Sequence, residues 1–324
     1  MIGIPFEEPS SAEWKAWRAA NEDVAAATIK EIADGKKPKI DRAIMDKFER
    51  FFEWEVWKLE GVRARDKAIA DFAAGRKPTV DEKLYKREKH VFMAAANNKC
   101  AYCETKIGGV DQPGDVEHFR PKGRIIDESG KPVTIKDDKG NDIPHPGYYW
   151  LAYDWRNLLI ACKTCNSPMR DEEAGITRGK WDRFPLMPGT AFRATKPGDE
   201  AKEIAAFLHP VFEDPEKHFA FDEKTGLLGC KTQQAEICEK WLYLNREGLR
   251  ELRVDTYESV MGRTTKLFNA VTLRVKDTLQ ETVNFLTAYK KGEKAYSLVG
   301  RKAIRDSESQ LKEMLSLMSG SSTR

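Results

Sequence analysis

Two cysteine pairs, Cys100-Ala-Tyr-Cys103 and Cys162-Lys-Thr-Cys165, are the most chemically pointed feature of the chain. Two-residue spacing lets both sulfurs of a knuckle face one tetrahedral ion, so two knuckles make a four-cysteine zinc site; a redox pair or chance spacing are the alternatives. Between the knuckles lies Val116-Glu117-His118-Phe119-Arg120-Pro121-Lys122, a carboxylate beside an imidazole with cations after it. Asn157 opens the apolar stretch that feeds the second knuckle, and Asn166 follows that knuckle directly. Hydrolysis of a phosphodiester needs these residue types. A neutral imidazole, with an ordinary pKa of about 6.5, can take the proton of a water. A divalent ion, Mg2+ or Mn2+, must offset charge on the phosphate, and one carboxylate plus one amide oxygen with waters suffices to hold it. Arg120, Lys122 and Arg170 are the candidate phosphate contacts.

These groups need elements that bring them together. Neighbours on a strand point to opposite faces, so Glu117 and His118 reach one site only if the strand bends or ends there; Pro121 and Gly123 supply such an ending. Residues 99–190, rich in turns, Gly, Pro and short apolar runs, form the expected catalytic core. Within it, residues 131–143 predict a hairpin with an Asp138-Lys-Gly-Asn141 turn. On either side the fold is expected to be mainly helical, over 1–98 and 191–324, giving an α+β class. Apolar periodicity predicts helices over 11–34, 41–75 and 84–98, and mostly helix over 232–318. A connector at 195–203, short strands and turns over 207–230, and a frayed end at 319–324 complete the expectation. Trp54 and Trp57 widen the apolar face of the second helix, which predicts burial on more than one side. A short echo, Ala33-Asp-Gly-Lys-Lys-Pro-Lys-Ile-Asp41 and Ala73-Ala-Gly-Arg-Lys-Pro-Thr-Val-Asp81, reads each time as a glycine stop, a proline turn and an aspartate helix start, with a basic tip that could touch phosphate.

The order Glu117-His118, Asn157, Cys165-Asn166 resembles the HNH (ββα-metal) endonucleases, in the subset whose active site is framed by a zinc-bound cluster of four cysteines. The resemblance implies that the His ends the first strand and that a second strand leads into a helix bearing the last metal ligand. By that resemblance His118 is the general base, Glu117 and Asn166 are ligands of the catalytic metal, and Asn157 braces the loop that orients His118. Lys99-Cys-Ala-Tyr-Cys-Glu104, Glu117-His-Phe-Arg-Pro-Lys122, Tyr149-Trp-Leu-Ala-Tyr-Asp-Trp-Arg-Asn-Leu-Leu159, Arg183-Phe-Pro-Leu186 and Leu244-Asn-Arg246 are similar to the PtuB-like HNH family of Septu and retron anti-phage systems. That likeness covers about 90–255 and implies a DNA-cutting defence effector, with an ABC/SMC-type ATPase as candidate partner and a homodimer as one route to double-strand breaks. The chain departs from the pattern where the family usually has Lys soon after Cys-x-x-Cys-Asn: here stands Arg170, and about a dozen extra residues precede Phe184-Pro-Leu.

Composition narrows the alternatives. With 324 residues, 40% hydrophobic and 33% charged, the chain is a globular protein with room for a sizeable core. No apolar run approaches the roughly 18 residues that span a bilayer, and the N-terminus lacks a secretion signal, so no membrane role and a cytoplasmic location are expected. The net charge of +3 points to no partner by itself, although residues 240–324 are mildly basic. His90, His145, His209 and His218 have no ligand-like spacing and are read as structural, and Cys230 and Cys238 as buried small residues. Two other functions use the same residues: a non-catalytic zinc module that binds nucleic acid or protein, and a standalone restriction or repair nuclease.

Overall fold

Side-chain caps at Ser11, Asp41, Asp81, Asp214 and Thr232 set five of the helical starts. The computed structural model describes residues 8–136, 139–190, 193–273 and 276–320. Ser11 starts α1 (Ala12–Ala20) by accepting the Trp14 N–H. The single helix expected over 11–34 is divided at Asn21, whose backbone leaves the helical region, and α2 (Glu22–Ala33) follows. Asp41 accepts the N–H groups of Ala43 and Ile44 and starts α3 (Arg42–Ala73). Asp81 caps α4 (Glu82–Arg87), and α5 (Lys89–Ala95) continues after Glu88, so the expected third helix is also in two pieces.

Helix α3 serves two cores. Its Phe48, Phe51 and Phe52 pack with Trp14 and Ile29 in an N-terminal cluster. Trp54 and Trp57, both fully buried, turn instead to a second cluster that runs through both cysteine knuckles as far as Val299. Burial on more than one side is therefore what α3 shows.

The central unit is small. Strand β1 (Asp115–His118) is followed by the hairpin β2 (Thr134–Lys136) and β3 (Asp142–Pro144), then by two 3-10 turns, Tyr149–Leu151 and Trp155–Asn157. Strand β4 (Leu158–Ala161) returns antiparallel to β1, with Glu117 opposite Leu159 and His118 opposite Leu158, and runs through Cys162 into α6 (Lys163–Asn166). All of β4 is buried, as expected of an apolar run without alternation. The expected hairpin is present, although Asp138 of its turn lies outside the described residues. A further hairpin, β5 (Met169–Asp171) with β6 (Ile176–Arg178), follows α6.

Beyond the connector come α7 (Pro215–His218) and the paired strands β7 (Phe219–Phe221) and β8 (Leu228–Cys230). The C-terminal part is helical: α8 (Gln233–Leu242), α9 (Glu247–Leu273), α10 (Lys276–Lys290) and α11 (Ser297–Gly320). Ser319 and Gly320 still belong to α11, while residues 321–324 lie outside the described residues. Val260, Leu286, Tyr289, Ala303 and Ile304 join α9, α10 and α11. The observed class is α+β, with small sheets set among helices.

Candidate functional site

The four cysteines converge. Their Sγ atoms lie within 4.8 Å of one another, and all four residues are buried. Cys103 and Cys162 are 3.8 Å apart at sulfur. That is the edge of a tetrahedron whose ligands stand about 2.3 Å from a central zinc ion. The donor set and its spacing fit zinc, which would tie the turn after α5 to the start of α6. Arg246 completes the surroundings: its guanidinium approaches Cys103 Sγ at 3.5 Å and Cys165 Sγ at 3.9 Å, placing positive charge beside ligands that bind as thiolates. Among the described residues this is the one group of three or more His, Cys, Asp or Glu side chains close enough to share an ion.

A second polar centre lies at the end of β1. His118, the last residue of that strand, is 4% exposed. Its Nε2 is 3.0 Å from the carbonyl oxygen of Ala152. A carbonyl only accepts, so the neutral ring carries its proton on Nε2 and leaves Nδ1 as an acceptor. Nδ1 makes no hydrogen bond among the described residues. Tyr85 meets the imidazole edge-on, with ring centroids 4.7 Å apart. Burial, and then the charge of Lys122, hold the imidazole well below its ordinary pKa, so it is neutral at pH 7.

Glu117 is buried and bonded through Oε1 to Lys180 Nζ at 2.5 Å. Burial pushes its carboxyl up, and Lys180 pulls against that. The same ammonium donates to the backbone oxygen of His118 at 2.7 Å, so one fully buried lysine fixes both residues of the pair. Oε2 of Glu117 and the side-chain amide of Asn166 make no hydrogen bond among the described residues. Asn166 ends α6, which packs against β1. An uncommitted carboxylate oxygen and an amide oxygen fit a hard divalent cation in donor type.

Asn157 braces the turn between them. Its Oδ1 accepts the Arg120 N–H at 2.8 Å, and its Nδ2 donates to the carbonyls of Arg120 and Leu151 at 3.1 and 3.2 Å. Its own carbonyl accepts the Phe119 N–H at 2.9 Å. The two residues after His118 are thereby fixed to the start of β4.

The three expected phosphate contacts fare differently. Lys122 is half-buried, with its ammonium 4.8 Å from the Tyr85 ring centroid. Arg120 is turned inward: its guanidinium pairs with the buried carboxylate of Glu203 and lies over the Tyr148 and Phe184 rings. Arg170 is exposed on β5 and pairs with Glu172. The cation that meets the Glu117 carboxylate is Lys180. The reason is local. The β5–β6 hairpin loops out the residues between, and the Lys180 N–H donates to the Cys165 carbonyl while the Trp181 N–H donates to that of Asn166. Gly179 closes this loop at φ +95°, where an added Cβ would stand 2.0 Å from the Ser167 carbonyl oxygen.

Lys180, Tyr85, Arg246 and the Ala152 carbonyl were not singled out as site groups by the sequence. Lys180 gave no local signal, since its partner Glu117 lies 63 residues away along the chain. The other histidines are held structurally or stand clear of the site. His145 Nε2 is 2.8 Å from the Ala194 carbonyl oxygen, His209 Nε2 is 3.2 Å from that of Arg156, His218 pairs with the Thr232 hydroxyl, and His90 is exposed. Cys238 is buried, accepting the Leu208 N–H, and Cys230 is only half-buried.

Comparison with known proteins gives one consistent likeness. No family model matches the chain, and no solved structure matches it. Septu protein PtuB of Bacillus mycoides (strain KBAB4) is 33% identical over 202 residues, 61% of this chain and 61% of that protein. Septu protein PtuB of Bacillus thuringiensis is 32% identical over 78 residues, 24% of this chain and 21% of that one. Septu protein PtuA of Bacillus mycoides (strain KBAB4) is 28% identical over 162 residues, 50% of this chain and 19% of that protein. The match thus spans about three fifths of the PtuB relative's length, and over that span the chain is similar to Septu proteins.

Proposed function

We propose that the chain is an HNH-type endonuclease that hydrolyses phosphodiester bonds of DNA and serves as an effector of anti-phage defence. The observation that carries the reading is His118: a buried, neutral imidazole whose Nε2 is committed to the Ala152 carbonyl and whose Nδ1 is left to accept a proton. It ends the first strand of a ββα unit, beside a carboxylate. The similarity to the Septu proteins PtuB and PtuA supports the defence role and a partner within a Septu system; that this partner is an ABC/SMC-type ATPase is part of the proposal.

In this reading His118 Nδ1 takes a proton from the attacking water. Asn157 and Lys180 are positioning residues, which hold the backbone at and just after His118. Lys122 is the cation placed to meet the substrate phosphate. Glu117 and Asn166 would hold Mg2+ or Mn2+, which when bound offsets charge on the phosphate and the leaving oxygen. Zinc at the cysteines would contribute fold and no chemistry.

Incubating supercoiled plasmid with the purified protein and Mg2+ or Mn2+ tests the proposal. The parent is expected to nick or linearise it, and His118→Ala to lose about two to four orders of magnitude in rate while keeping its fold. Equal cutting by both proteins, or none by the parent with ATPase partners supplied, would overturn it. One observation favours a second reading, a non-catalytic zinc module: Lys180 already neutralises the carboxylate that a metal would use. Failure of the parent to cut would select that reading.

A further inference from the structure

A groove of about 820 Å³ runs between the turn after α3 and the β2–β3 hairpin. Arg76, Lys77, Lys122, Arg124 and Lys136 line it, and none of its described lining residues is acidic. Its remaining walls are largely apolar, including Phe72, Val80 and Ile135. Three of the cations have carboxylate neighbours outside the groove lining: Arg76 with Asp71 at 2.6 Å, Arg124 with Asp182 at 2.6 Å, and Lys136 with Asp142 at 2.9 Å. Lys77 and Lys122 have no ion pair among the described residues. Exposed pairs are held weakly, so a phosphate can replace the carboxylate at the rim.

Lys122 belongs to both the groove and the candidate site. Its ammonium lies over the Tyr85 ring, and that ring in turn abuts His118. We propose that the groove holds the sugar–phosphate backbone of a nucleic-acid strand to one side of the bond to be cut, with the phosphates tracked by Lys77, Lys136 and Lys122. An acidic peptide would meet the same cations. One cation of the groove, Lys122, however, also acts on the His118–Glu117 pair, whose substrate in the endonuclease reading is a chain of phosphodiesters, and a rim of cations beside an apolar wall suits a strand of phosphates and bases. The link to cleavage rests on the endonuclease reading; the binding itself does not.

The echo of the turn supplies a matched control. Lys36 and Lys37 sit in the other copy, outside the groove. Binding of a fluorescein-labelled DNA duplex is measured by anisotropy over a salt series, with the full chain carrying His118→Ala. Adding Lys77→Ala and Lys136→Ala is expected to weaken binding about tenfold and to flatten the slope of log affinity against log salt by about two, one per lost phosphate contact. Adding Lys36→Ala and Lys37→Ala is expected to change neither. Equal effects of the two pairs, no binding by the parent, or displacement of DNA by polyglutamate at equal charge would each overturn the groove. The two ideas separate cleanly. Lost binding in the groove variant with no cleavage by a His118-intact protein sinks the nuclease alone, whereas cleavage and binding both indifferent to Lys77 and Lys136 sink the groove alone.

Discussion

Two polar centres are built on the same strand pair, and they differ in how completely their groups are used. At the cysteine cluster every sulfur faces the other three, and Arg246 adds charge from outside. At the end of β1 the arrangement is left open: His118 Nδ1, Glu117 Oε2 and the Asn166 amide have no partner among the described residues. A set of ligands turned on one another speaks for structure, whereas acceptors beside a buried imidazole that no protein group uses, one of them on the half-buried Asn166, leave donor atoms for a ligand or a reaction. The difference between the centres is therefore one of completeness more than of residue type.

Breaking the closed centre should have the largest effect. Cys100→Ser, Cys165→Ser or a strong zinc chelator is expected to abolish cooperative melting in calorimetry, because structural zinc contributes folding free energy, on the order of 10 kcal/mol in small zinc domains. A sharp melt near the parent temperature would show that the cluster is dispensable. Next comes the ion pair that joins the open centre to the loop after α6. Lys180→Met strands a buried carboxylate and should cost about 3–5 kcal/mol in denaturant titrations, with Glu117→Gln added in a double variant recovering part of the loss. Full recovery of cleavage by that double variant would contradict a role for the carboxylate.

Smaller effects sharpen the comparison. Asn157→Ala leaves the Arg120 N–H without its partner, and a loss of about 1–3 kcal/mol is expected, with slower cleavage because His118 is no longer braced. An unchanged rate would reduce Asn157 to a fold residue. The open centre should also show itself in pH dependence. His118 is buried neutral, so below about pH 6.5 the unfolded chain binds a proton that the folded chain refuses, and stability falls as the pH falls. His145 and His209, held down to about 4 by burial, contribute the same trend in parent and variant alike. The parent should therefore lose about 1–2 kcal/mol more than His118→Ala between pH 7 and pH 5, since each pKa unit corresponds to about 1.4 kcal/mol. Parallel stability curves for the two proteins would mean that His118 takes up its proton as readily in the folded chain as in the unfolded one.

The echoed turns show how far sequence alone reaches. Gly35 and Gly75 both adopt positive φ, at 68° and 72°. The following residues make the same backbone bond, Lys36 to Glu31 at 2.8 Å and Arg76 to Asp71 at 2.8 Å. Asp41 and Asp81 both cap the next helix. All of that was legible, because a helix stop and start are decided by a few adjacent residues. The fate of the two basic tips was not, since only the second faces the β2–β3 hairpin and Lys122.

The same division holds for the site. By itself the sequence determined the knuckles, the carboxylate–imidazole pair, the apolar β4 and the aspartate-capped helices, each fixed by residue type and short spacing. Tertiary structure decided which cation meets Glu117, that Arg120 is spent on Glu203, and that the Ala152 carbonyl sets the tautomer of His118. Those pairings join residues far apart along the chain, and their geometry depends on how intervening loops close. A loop such as β5–β6 adds length to the sequence while leaving its two ends hydrogen-bonded to each other, so distance along the chain ceases to measure distance in space.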